Sequence, residues 1–104
     1  MNFVGRRLHF AYDSGIEIDA HYVSDSELRW KAAAGPAAGQ SGTEEIMAAE
    51  VAPEIFFISW IEESGMTLSQ VLDLKEMRVM SYITMDMNGP RRTGMLQTGT
   101  ITEP

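Results

Sequence analysis

The chain has no cysteine, which removes disulfides, thiolate zinc sites, iron–sulfur clusters and a Cys nucleophile from consideration. It is also poor in cations, with 8 Lys and Arg against 15 Asp and Glu and a formal net charge of −7. Binding a phosphate backbone requires neutralising it with Lys and Arg, so nucleic acid is not an expected partner. No apolar run approaches the ~18 residues that span a bilayer. Arg6 and Arg7 are not followed by an apolar signal region, so no membrane partner is expected and the default compartment is the cytoplasm. No Gly-rich loop leads into Lys-Ser or Lys-Thr, which removes the usual phosphate cradle, and no cofactor is expected. The two histidines, His9 and His21, fall on predicted outer faces with no inward carboxylate cluster nearby, so no bound metal is expected. The serines likewise have no inward His to act as a base.

What is present fits one soluble globular domain. The 104 residues are 44% apolar and 22% charged, enough for a single core over residues 1–104. The apolar residues alternate with polar ones, which is the period of strands. Leu8, Phe10 and Tyr12 share one face of a first strand, and Asp13-Ser14-Gly15 has turn chemistry. Ile16, Ile18, Ala20 and Tyr22 share a face of the return strand, and a short third strand covers Leu28 to Trp30. Residues 32–42, AAAGPAAGQSG, lack side chains large enough to anchor the segment and read as a loop or a single short turn.

Strand signals resume over Thr43 to Val51, and Ile55 to Ile61 is the most apolar run, expected as the central strand. Turns at Glu63-Ser64-Gly65, Lys75-Glu76 and Asn88-Gly89-Pro90 separate Thr67–Leu74, Met77–Met85 and Thr93–Thr102. The expectation is an all-β, about eight-stranded antiparallel up-and-down barrel, because closure removes exposed edges and the long connections of a sandwich are scarce.

Alternation puts Phe56, Ile58, Trp60 and Glu62 on one face, so a carboxylate continues an apolar and aromatic stripe. Facing inward, Glu62 would be desolvated and raised in pKa, a proton donor or a polar anchor for a ligand. As the last residue before a turn, it could equally reach water at the rim. Tyr12 ends the first inward stripe in the same way. Trp30, Tyr22, Trp60 and Tyr82 supply aromatic surface that serves either a planar ligand or the core. Met77, Met80, Met85, Met87 and Met95 crowd the last third, where flexible thioethers can fill or shape a cavity.

Four segments carry a resemblance: Asn2-Phe3-Val4-Gly5, Tyr12-x-x-Gly15, Ala34-Gly35-Pro36-Ala37-Ala38-Gly39, and Ile58-Ser59-Trp60-Ile61-Glu62-Glu63-Ser64-Gly65. Over roughly residues 2–86 they resemble the phenolic acid decarboxylases and the related MoaF-like proteins, most strongly at Ser59-Trp60-x-Glu62. The resemblance implies a small lipocalin-like (calycin) barrel. It also implies a decarboxylase site of two tyrosines on the first strand, an arginine after the glycine-rich loop and the glutamate after the Ser-Trp pair. Tyr12 and Glu62 match, whereas Phe10 and Gln40 stand where the other tyrosine and the arginine would be. Gln offers one neutral amide in place of a charged fork, and Phe has no hydroxyl, so decarboxylation is not favoured. The decarboxylases also continue past the barrel with a helical extension, which makes the MoaF-like proteins the expected nearer kin.

Three functions follow as alternatives. The first is a barrel holding an apolar or aromatic small organic molecule, contacted by Tyr12, Trp30, Gln40, Ile58, Trp60, Glu62 and Tyr82. The second is a lyase- or decarboxylase-like enzyme with Glu62 as general acid/base and Tyr12 orienting the substrate. The third is an interaction module with a filled core, in which a strand edge or outer apolar patch forms a homodimer.

Overall fold

The computed structural model describes residues 1–86 and 91–104. The expected turn at Asn88-Gly89-Pro90 and the side chain of Met87 lie outside the described residues. The strands are β1 (Arg7–Tyr12), β2 (Glu17–Tyr22), β3 (Glu27–Ala34), β4 (Ser41–Glu45), β5 (Met47–Ala52), β6 (Ile55–Ile61), β7 (Thr67–Asp73), β8 (Arg78–Asp86) and β9 (Arg92–Thr102). All neighbours pair antiparallel in one sheet of order β4-β3-β2-β1-β9-β8-β7-β6-β5. The chain ends therefore meet inside the sheet, where β9 lies on β1 with Tyr12 opposite Gly99 and Phe10 opposite Ile101. The sheet curls until β4 comes against β6, giving a nearly closed barrel whose seam lies between β4 and β5.

The strand count is nine instead of eight because the expected 43–51 strand is two strands, and a second segment departs from expectation in length alone. The expected 32–42 loop shrinks to the turn at 35–40, because β3 runs on to Ala34 and β4 begins at Ser41. Ala32 is a fully buried inward residue, and Trp30 lies flat against Gly42 on the neighbouring strand, where a Cβ would meet its indole. Small residues here accommodate a large neighbour. The expected 43–51 strand divides at Ile46. Its buried side chain fills the corner while its N–H donates to Ser26 O at 2.9 Å, and the chain passes from the β3 edge of the sheet to the β6 edge.

One end of the barrel is plugged. The turn before β1 brings Phe3, fully buried, edge-on to Tyr22 and Phe56 with ring centroids 5.1 and 5.0 Å away. The Gly5 N–H anchors that turn by donating to Tyr22 O at 2.7 Å. Leu8, Leu28, Ile58, Leu72 and Val79 complete the core around it. The outer face over β1–β3 is charged: His9 lies between Asp19 and Glu17 at 2.6 and 2.7 Å. Hydrogen bonding to Asp19, opposed by partial burial and aided by Glu17, raises the His9 pKa. Among the described residues no group of three or more His, Asp or Glu is arranged to hold a metal.

Candidate functional site

Two turns of the same construction build the open end. Tyr12-Asp13-Ser14-Gly15-Ile16 and Glu62-Glu63-Ser64-Gly65-Met66 each place an acidic residue, a serine and a glycine between the last residue of one run and the first of the next. In both, the residue at the head exchanges backbone bonds across the turn. Tyr12 N–H donates to Ile16 O at 2.9 Å and Glu62 N–H to Met66 O at 2.7 Å, while Gly15 and Gly65 donate back to Tyr12 O and Glu62 O at 3.0 and 2.8 Å. The glycines have φ of 93° and 88°, the left-handed conformation that closes a three-residue hairpin loop at little steric cost. Each serine hydroxyl accepts from the N–H two residues on. The rigid turn thus fixes the direction of the side chain at its head, and both heads point into the barrel.

Between these turns and the aromatic plug lies a cavity of about 390 Å³, a volume within the range of small-molecule sites. Its walls are largely apolar, from Ile18, Leu28, Ala32, Leu68 and Ile83. Trp30 and Trp60 lie along it, and Tyr12, Gln40 and Glu62 give it polar points. Tyr12, Trp30, Gln40, Trp60 and Glu62 are all expected as ligand contacts, and one cavity gathers them from β1, β3, the 35–40 turn, β6 and the head of the β6–β7 turn.

Two expected contacts fall elsewhere. Ile58 points inward but is fully buried in the core toward the plugged end, two residues below Trp60 and outside the cavity lining. Tyr82 faces outward, 49% exposed, with its ring laid across Gly94 of β9, where a Cβ would strike its hydroxyl. Its neighbour Ser81 takes the inward place, so the parity of β8 decides the matter. The methionines also divide: Met85 and Met95 line the cavity, Met77 packs on the core and Met80 faces out.

Sequence reasoning missed the polar groups bonded around the cavity. Tyr22 Oη donates to Gln70 Oε1 at 2.6 Å, Tyr12 Oη and Ser81 Oγ share a hydrogen bond of 2.7 Å, and Ser14 Oγ donates to Gln97 Oε1 at 3.0 Å. Gln70 and Gln97 line the cavity. A signal for them was available, since Gln70 interrupts the inward stripe Leu68–Leu72 and Ser81 the stripe Val79–Ile83. Burial raises the pKa of the Tyr12 phenol, opposed by its bonds to Ser81 and Gln70, and raises Tyr22 well above the usual range. Both therefore stand as neutral donors and acceptors.

The acidic side of the mouth is built from two indole–carboxylate pairs. Trp60 Nε1 donates to Glu62 Oε2 at 3.3 Å, and Trp30 Nε1 to Glu44 Oε2 at 2.7 Å. Partial burial raises the Glu62 pKa; the Trp60 bond opposes this, and the negative charge of Glu44 adds to it. Chemically the site can enclose an apolar body, hydrogen-bond its polar end, and hold a proton at Glu62. A second depression of about 530 Å³ lies against the charged strands β1–β3, among Arg7, Asp19, His21, Arg29 and Lys31, and its lining is charged and more open to solvent.

The fold and site define a small antiparallel barrel with one plugged end and an internal, mostly apolar pocket. The family model of MoaF-like proteins matches residues 4–102, and the chain belongs to the MoaF-like family. A crystal structure from Burkholderia vietnamiensis, of a protein provisionally described as a beta-lactamase, is similar over 100% of this chain and 97% of that one, with a TM-score of 0.90 and 22% identity. At that identity the likeness is one of fold. A search of curated proteins returns no match.

Proposed function

We propose that this protein binds a small, largely apolar organic molecule inside the barrel. The observation that carries the reading is the 390 Å³ cavity, into which residues distant in sequence deliver two indoles, a phenol and a carboxylate. Filled barrels need no such space, since protein interiors pack to crystal density. No reaction is assigned. All four positions that the decarboxylase resemblance singles out, Phe10, Tyr12, Gln40 and Glu62, meet in this cavity, but two of them lack the polar groups that reaction needs.

Both tryptophans of the chain line the cavity, so ligand entry is expected to change tryptophan fluorescence. A neutral aryl alcohol such as 3-phenylpropan-1-ol is expected to do so and to raise the melting temperature, since a ligand at 100 times its Kd stabilises the native state by about 2.7 kcal/mol. Ala32→Phe, which fills the cavity, is expected to remove both effects. No shift across a panel of neutral and charged aromatic and aliphatic compounds, or an unchanged shift in Ala32→Phe, would overturn the reading.

A second reading concerns the outer face of β5–β9. Three successive rungs, Ala49–Phe57–Val71–Met80–Thr98, Met47–Ser59–Ser69–Tyr82–Leu96 and Ile61–Thr67–Thr84–Gly94, contain no charged residue. They expose Met47, Phe57, Ile61, Met80, Tyr82 and Leu96. On a chain of net charge −7, a face with no acidic side chain in its rungs, and with Arg92 reaching Thr84 at one corner, is where a second copy can approach with least repulsion. Five strands at about 4.8 Å spacing and three rungs at about 6.8 Å offer roughly 500 Å² per partner, close to the total of about 1,000 Å² that a specific interface should clear. We therefore propose a two-fold homodimer through this face. Light scattering is expected to give twice the 11.6 kDa chain mass, and the Phe57→Asp/Leu96→Asp double variant to be a folded monomer. A monomeric parent, or a variant that stays dimeric, excludes it.

A further inference from the structure

We infer that the cavity selects an organic cation, an amine on an apolar body, over a carboxylate; this rests on reading the cavity as a ligand site. Among the described residues, the lining contains no Lys, Arg or His, and its one carboxylate is Glu62. Arg92, whose guanidinium reaches the β6–β7 turn, is held there with Nη2 donating to Gly65 O at 2.8 Å and to Thr84 Oγ1 at 3.0 Å. Thr84 lies on the outer rung of β8, so this guanidinium is committed outside the cavity. An anionic ligand would enter a low-dielectric space with no counter-charge and meet Glu62 as a like charge.

A cation meets the opposite. Glu62 and Glu44 lie close enough for the charge of one to act on the other, and an ammonium at the mouth relieves that repulsion. Each carboxylate accepts one indole N–H through its Oε2, whereas a carboxylate has room for about four donors. The same hydrogen bonds fix the two indole rings at the mouth. Trp is the side chain whose π face attracts cations best, and the attraction strengthens as water is excluded. Gln40 and Tyr12 are neutral, and the overall charge of −7 draws cations toward the opening.

The test uses three probes of one shape: 3-phenylpropylamine, 3-phenylpropan-1-ol and 3-phenylpropanoate, titrated at neutral pH by calorimetry and tryptophan fluorescence. The amine is expected to bind at least about tenfold more tightly than the carboxylate. In Glu62→Gln the amine-to-alcohol affinity ratio is expected to fall about tenfold, with the fold checked by circular dichroism. If the carboxylate binds as well as the amine, or Glu62→Gln leaves that ratio unmoved while the alcohol binds, the charge preference is wrong and the ligand site stands. If none of the three binds, the ligand-site reading falls and this inference with it.

Discussion

Gly99→Ala is expected to destabilise the protein by about 3 kcal/mol or more, beyond the usual cost of overpacking, because the atoms it would strike are backbone. A Cβ at Gly99 would meet Ala11 O and, at 2.7 Å, Tyr12 Cα. These atoms belong to the β1–β9 ladder that joins the two ends of the chain within the sheet, so they cannot yield by a change of rotamer. Gly99 shows no left-handed backbone; its requirement is space alone. Urea denaturation measures the loss, and hydrogen exchange is expected to show reduced protection along β1 and β9. A stability within about 0.5 kcal/mol of the parent, the range of ordinary surface substitutions, would mean that the two strands can part without cost.

Phe3→Ala is the second large effect, about 3–5 kcal/mol as for other buried Phe-to-Ala changes. Phe3 is fully buried, and its ring is the piece shared by the contacts to Tyr22 and Phe56. With total stabilities of about 5–15 kcal/mol common for single domains, this loss removes a large fraction. Phe3→Leu keeps much of the volume and is expected to cost about 1.5 kcal/mol or less if the surroundings repack. The comparison of the two variants by thermal unfolding separates a packed plug from a segment resting on the surface. Equal, small effects for both would show that the plugged end does not need the ring.

Much of the barrel is readable from alternation. Inward Leu8, Phe10 and Ala20, Tyr22 follow from a period of two, and the runs at 55–61 and 67–74 are found almost where they were expected. Residues 43–51 could not be divided that way. Gly42, Glu44, Ile46 and Ala48 keep an unbroken parity while the hydrogen-bond partner changes from β3 to β6, and pairing partners leave no mark on a local pattern. The alanines of 32–34 were misjudged for a related reason. Small side chains look like a loop until Trp30 and the cavity beside them are in view.

The site divides along the same line. Glu62 and Tyr12 stood out because each is a polar residue closing an apolar stripe, and their paired turns are visible as Asp-Ser-Gly and Glu-Ser-Gly. Tyr82 shows the limit: a strand residue has two possible faces, and only the register of β8 against β7 and β9 chooses.

By itself the sequence determined the fold class, the tight turns at 13–15 and 63–65, the acidic balance and the exclusion of cysteine chemistry, because these depend on composition and on neighbours a few residues apart. The tertiary structure decided that β9 returns to β1, that an aromatic plug closes one end, and that Trp30, Glu44, Trp60 and Glu62 come to the same mouth. Those are contacts between distant segments, fixed by the curl of the whole sheet and the volume its side chains leave unfilled.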